Sequence, residues 1–166
     1  NALLTFDLAN PDLYENRTLA LQHDLIHIRR TRFLWNATCF ERMSVRNFDE
    51  TARRVRLELA FAADFADLFE VRGAHRRKRG RMHQPKAVGD RVILSYTGLD
   101  RVVRKTTLRF DPAPVELTGT RAIWEIDLKP RQTRQLFIEV ICEGDVPEFD
   151  VRRQFFSSLL EARRSM

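Results

Sequence analysis

Apolar and polar residues alternate along most of the chain, the period-2 pattern of strands that bury one face. In Val55-Arg56-Leu57-Glu58-Leu59-Ala60-Phe61, the side chains of Val55, Leu57, Leu59 and Phe61 share one face, and Arg56 and Glu58 share the other. Ala122, Trp124, Ile126 and Leu128 stand in the same relation to Glu125 and Asp127, and Leu136, Ile138, Val140 and Cys142 repeat it. The same reading predicts strands over 3–8, 17–21, 25–34, 40–47, 68–72, 91–97 and 102–110. Strands buried on one face and wet on the other pair antiparallel. Asn47-Phe48-Asp49-Glu50 and Thr97-Gly98-Leu99-Asp100 separate alternating runs and read as hairpin connections. Asp111-Pro112-Ala113-Pro114, Thr118-Gly119-Thr120 and Lys129-Pro130-Arg131 break the later strands. Strands recurring this regularly, without an internal repeat, predict an all-β antiparallel β-sandwich rather than βαβ units.

Two segments depart from alternation. Residues 74–90 hold His75-Arg76-Arg77-Lys78-Arg79-Gly80-Arg81, then Pro85 and Gly89, with little apolar content. They read as a long, mobile loop between strands. After Gly144 and Pro147, the residues Val151, Phe155, Phe156, Leu159 and Leu160 fall on one helical stripe. Asp150 is placed to cap that helix, and Arg163 and Arg164 suit the negative end of its dipole.

Composition narrows the class. The chain has 166 residues, of which 43% are hydrophobic and 31% charged, enough for one globular domain with a real core. No stretch approaches the ~20 apolar residues of a membrane helix. The net charge of +6 raises the expectation of anionic partners. However, the arginines are spread along strand-like segments, and only Arg76-Arg77-Lys78-Arg79 is dense. The two cysteines, Cys39 and Cys142, form neither a disulfide framework nor a metal motif; buried, reduced thiols and a cytoplasmic setting are expected. No Gly-rich phosphate loop, GxSxG elbow, HExxH or CxxC occurs. The first residue is Asn and apolar alternation starts at once, so the chain reads as part of a longer polypeptide.

Four stretches carry a family resemblance: Asp7-Leu8-Ala9-Asn10-Pro11-Asp12-Leu13; Ile28 to Leu34 leading to Phe40-Glu41-Arg42-Met43-Ser44-Val45-Arg46-Asn47; Asp64-Phe65-Ala66-Asp67-Leu68-Phe69-Glu70-Val71-Arg72-Gly73; and Leu94-Ser95-Tyr96-Thr97-Gly98-Leu99-Asp100 with Arg104 and Thr106. In this order the sequence resembles the N-terminal domain of bacterial glycogen debranching enzymes, the amylo-α-1,6-glucosidase-like proteins. It departs from them at Ala9, where Thr is usual, and in lacking the upstream strands. The resemblance implies a supersandwich-like fold, N-terminally truncated, over residues 1–146, with an amphipathic linker helix at 147–166. A catalytic (α/α) barrel would follow that helix in the same polypeptide. It further implies a non-catalytic domain of a glycoside hydrolase that acts on an α-glucan without calcium or another cofactor. The competing readings are a stand-alone carbohydrate-binding module and, more weakly, a basic nucleic-acid-binding domain.

Glycoside hydrolysis uses two carboxyl groups, about 5 Å apart for retention and about 6.5–9.5 Å for inversion. Asp64, Asp67 and Glu70, spaced i, i+3, i+6, would share one side of a helical turn. Read as a strand instead, Leu68 to Arg72 places Glu70 and Arg72 on one face to pair across the sheet. Asp64 and Asp67 would then fix the entry turn, with Phe65 and Phe69 anchored in the core. Asp64, Asp67, Glu70 and Arg72 are therefore candidates for substrate or interdomain contact, not catalysis. Trp35 and Tyr96, near strand ends, are candidate sugar-stacking platforms, whereas Trp124 belongs to the core. Arg29, Arg30 and Arg32 are expected to pair with acids across strands. Arg104, in register with Val102, Leu108 and Phe110, calls for a carboxylate among Glu41, Glu70 and Asp64. No metal ligands are expected.

Overall fold

The computed structural model describes residues 3–142, 146–147 and 149–165; the expected break at Gly144 lies outside them. In chain order the elements are β1 (Leu4–Ala9), β2 (Leu13–Glu15), β3 (Thr18–Leu21), β4 (Ile26–Trp35), β5 (Thr38–Asn47), β6 (Arg53–Ala60), α1 (Leu68–Val71), β7 (Arg81–Met82), β8 (Lys86–Val88), β9 (Arg91–Thr97), β10 (Val103–Asp111), β11 (Glu116–Leu117), β12 (Arg121–Leu128), β13 (Thr133–Cys142) and α2 (Val151–Arg164). All strand pairs are antiparallel. An eight-stranded sheet runs β1-β4-β5-β13-β10-β9-β7, with β8 also on β9; β11-β12-β6 form a second sheet and β2-β3 a hairpin. The expected antiparallel sandwich with a C-terminal helix is what the chain forms.

The alternation places the main core between the sheets. Met43, Val45, Val92, Leu94, Leu108, Phe110, Leu136 and Ile138 of the large sheet meet Ala122, Trp124, Ile126 and Leu128 of β12, with Val55, Leu57 and Leu59 of β6 packed alongside. Trp124 is a core residue as expected, and its indole N–H donates to the Pro112 carbonyl at 2.9 Å. Asn47-Phe48-Asp49-Glu50 is not a hairpin. It carries the chain from β5 in the large sheet to β6 in the small one, and the buried Asn47 amide braces the crossing by donating to Thr51 and Lys129 carbonyls. Thr97 to Asp100 does form the β9–β10 hairpin.

A second core lies on the outer face of the large sheet. Phe33, Phe40 and Phe137 receive Val151 and Phe155 of α2. Asp150 caps α2 by accepting from the Arg153 N–H at 2.7 Å. The buried stripe of α2 is Val151, Phe155, Ser158 and Ala162, whereas Phe156 and Leu160 face outward. Val151, Phe155, Ser158 and Ala162 follow the helical repeat more closely than the purely apolar set does.

The arginines of β4 pair across strands as expected. Arg29 contacts Asp7 at 2.8 Å, and Arg30 and Arg32 both bind Glu41, the latter at 2.7 Å. Arg104 pairs with Asp100 at 2.8 Å, four residues back in the hairpin turn. The deeply buried arginine is Arg109, bound to Glu139 at 2.9 Å beneath α2. Cys39 is half-buried and Cys142 exposed, because β13 runs past the covered part of the sheet at its last residue. No helix among the described residues is long and apolar enough to cross a membrane.

Candidate functional site

The acidic-aromatic run folds as a turn and a helix, not a strand. Asp64 accepts the Ala66 N–H at 3.0 Å, fixing the entry turn as expected. Asp67 is the N-cap of α1: its carboxylate accepts from Phe69 and Glu70 N–H groups at 2.9 and 2.8 Å, while Glu70 accepts the Asp67 N–H at 3.0 Å. This reciprocal capping box meets two otherwise orphaned backbone donors. It outweighs the alternation that suggested a strand, because Leu68, Phe69 and Val71 are all exposed and gain nothing from a buried face. Phe69 is thus not a core anchor. Phe65 is: its ring stacks on Tyr96 with centroids 5.5 Å apart.

The basic loop is not a free solvated segment. Arg76 reaches both Glu70 at 2.6 Å and Asp67 at 2.9 Å, and Arg79 reaches Glu70 at 3.2 Å and the Asp64 carbonyl at 2.8 Å. Glu70 therefore pairs within its own loop system, not across the sheet, and Arg72 ends α1 as its exposed C-cap. Gly80 lets the loop close on β9. Its N–H donates to the Tyr96 hydroxyl at 2.6 Å, and a Cβ there would overlap the Thr97 carbonyl oxygen. Beyond it, β7 and β8 pair with β9 where a structureless loop was expected.

These elements surround a cleft of about 430 Å³ lined by Phe65, Asp67, Arg76, Tyr96, Leu99, Asp100 and Arg104, among others. Its floor is apolar, from Phe65 and Tyr96, and its rim is charged. Backbone N–H donation from Glu70 holds the Asp67 carboxyl below its ordinary value, with Arg76 adding to it. The Asp67 N–H, then Arg76 and Arg79, hold Glu70 down. The Arg104 guanidinium takes Asp100 down to about 2. All three are ionised at neutral pH, so none is poised to donate a proton. What the rim offers is hydrogen-bond acceptors and guanidinium donors above an aromatic floor, which suits hydroxyl-rich ligands.

Of the sequence candidates, Asp67 and Tyr96 line this cleft, and Asp64 and Glu70 brace it from behind. Tyr96 is buried, with one ring face covered by Phe65. Trp35 lies elsewhere, at the turn between β4 and β5, where its indole N–H donates to Glu161 at 3.3 Å. Sequence reasoning missed Arg76, Asp100 and Arg104 as cleft residues. The i, i+4 spacing of Asp100 and Arg104 across a tight turn was the available signal. Among the described residues, no group of three or more His, Cys, Asp or Glu could hold a metal ion.

Asp67→Ala removes the cap and one Arg76 partner together. Trypsin is expected to cut between Arg72 and Arg81 several-fold faster in this variant than in the parent, with cleavage elsewhere unchanged. Equal rates would mean that the loop is held without the cap.

Two antiparallel layers, a helix on the outer face and a charged, aromatic-floored cleft define a β-sandwich module. The chain belongs to the family described as the N-terminal domain of (some) glycogen debranching enzymes, which matches residues 1–139. Among solved structures, it resembles a putative kojibiose phosphorylase from human microbiome (TM-score 0.55, 13% identity), over 84% of this chain and 19% of that one. A polysaccharide lyase aligns with TM-score 0.41 and 16% identity over 81% of this chain and 22% of that one. The chain thus spans about a fifth of the length of either structure. No curated protein matches it.

Proposed function

We propose that this chain is a non-catalytic domain of a debranching-type glycoside hydrolase. It supports a catalytic (α/α) barrel that follows in the same cytoplasmic polypeptide, and its cleft between Phe65 and Arg104 borders the path of an α-glucan. Residues 147–166 then serve as the connection toward that barrel. One observation carries the reading: every carboxylate of the acidic run is taken up by backbone N–H groups or by Arg76 and Arg79. Carboxylates locked in this way position a loop well and are poorly placed to protonate a leaving group.

The same geometry weighs against nucleic acid as the partner. Arg76 and Arg79, half of the dense basic cluster, already face carboxylates. The purified chain, incubated with branched maltooligosaccharides, is expected to release no glucose above a buffer control. Turnover that scales with its concentration would sink the non-catalytic reading.

A further inference from the structure

Two aspartate–arginine pairs line the cleft, one from the α1 loop and one from the β9–β10 hairpin. Asp67 gives Oδ1 to the Phe69 and Glu70 N–H groups and meets Arg76 with Oδ2 at 2.9 Å. Asp100 gives Oδ1 to the Val102 N–H at 3.1 Å and Oδ2 to Arg104 at 2.8 Å. Backbone donors therefore fix both carboxylates in place, yet their side chains stay 42% and 49% exposed, and those of Arg76 and Arg104 33% and 40%. A ligand in the cleft can reach both pairs. The same cleft holds the half-buried ring of Phe65, backed by Tyr96. Phe65 has φ +49°, in the left-handed region that bulky residues rarely enter. Such strain persists only where the surroundings hold it, and it gathers at ligand sites. Gly98 keeps the hairpin wall clear, since a Cβ there would overlap the Asp100 carboxylate.

We infer that the cleft grips a short run of α-glucan by its ring hydroxyls, each Asp–Arg pair taking one vicinal diol. The carboxylate accepts from one hydroxyl while the guanidinium donates to its neighbour, and both bonds are charge-assisted. Phe65 supplies the apolar contact that a pyranose face needs. Each pair sums to zero charge, so the ligand is neutral. An internal 4-linked glucosyl unit has only one free vicinal diol, its 2-OH and 3-OH, so two pairs call for two units. The cleft then holds the glucan rather than only standing beside its path. The choice of glucose rests on the glucan reading proposed above; the paired grip on vicinal diols does not.

Maltotriose titrated into the ¹⁵N-labelled chain is expected to shift amides on both walls, Phe69 and Glu70 on one and Val102 on the other. The shifts should saturate at millimolar concentration with one shared Kd. Asp100→Asn keeps an oxygen for the Val102 N–H, and the hairpin keeps its backbone bond from the Gly98 N–H to the Val102 carbonyl. This variant is expected to bind about tenfold more weakly. Lys78→Ala, exposed and outside the cleft lining, is expected to bind as the parent does. No shift, a shift on one wall only, an unchanged Kd in Asp100→Asn, or an equal shift with inorganic phosphate overturns the inference. The glucose-release assay separates this result from the reading it rests on. A chain that neither binds nor hydrolyses removes the grip and leaves the non-catalytic reading standing, whereas glucose release removes that reading whatever binds.

Discussion

Phe155→Ala is expected to destabilise the domain by about 3–5 kcal/mol, the cost of emptying a large, fully enclosed aromatic site. Phe155 is 1% exposed and meets Phe33, Phe137 and Phe156 edge-to-face, at 5.2, 5.4 and 5.3 Å between centroids. Three aromatic neighbours therefore lose their shared partner at once. Urea unfolding followed by circular dichroism gives the number. A loss below about 1 kcal/mol would mean that α2 unfolds apart from the sandwich rather than with it.

The second large effect is expected at Arg109. Arg109→Met leaves Glu139 as an unpaired buried charge, and breaking a buried pair from one side costs about 3–5 kcal/mol. Burial pushes the Glu139 carboxyl up and Arg109 pulls it back. Without Arg109 the folded state keeps a proton that the unfolded chain releases above its ordinary carboxyl value of about 4.3. Folded then binds more protons than unfolded, so stability falls as pH rises through that window and returns as pH drops from neutral toward 5. The slope cannot exceed about 1.4 kcal/mol per pH unit for one group. Adding Glu139→Leu is expected to restore most of the loss and erase the extra pH dependence. A single variant as stable as the parent, with no new pH slope, would show that Glu139 escapes to solvent.

The two arginines show why the sequence was legible in one place and not in another. Arg104 stood out because it shares a register with Val102, Leu108 and Phe110, yet it sits at the strand end and binds Asp100 locally. Arg109 alternates with Leu108 and Phe110, the sequence pattern of a solvent-facing side chain. Its face is dry because α2 lies across it, and no pattern within β10 records that cover. The clue was on the other partner: a helix with an apolar stripe needs a sheet face to lie on. The main strands and the inter-sheet core, by contrast, depend only on which side of each strand is apolar, and alternation states that directly.

The acidic run failed for a different reason. Five residues of alternating character are too few to separate a strand from a helical turn. Asp67 followed by Glu70 three residues later was the stronger signal, since it describes specific donors finding specific acceptors. The destination of Arg76 and Arg79 then followed from where that cap points the loop. At this cleft, short polar spacing carries the structural information that hydrophobic periodicity lacks.

β13, the last strand among the described residues, lies between β5 and β10 in the large sheet. During synthesis the two flanking halves must therefore form, or wait, with their inner edges unpaired until Thr133–Cys142 has left the ribosome. Pairing of β5 with β13 joins residues some ninety positions apart, which slows closure and lengthens that wait. The nascent domain is for that interval a pair of open-edged sheets, the state in which chains of this kind are most prone to stick to one another.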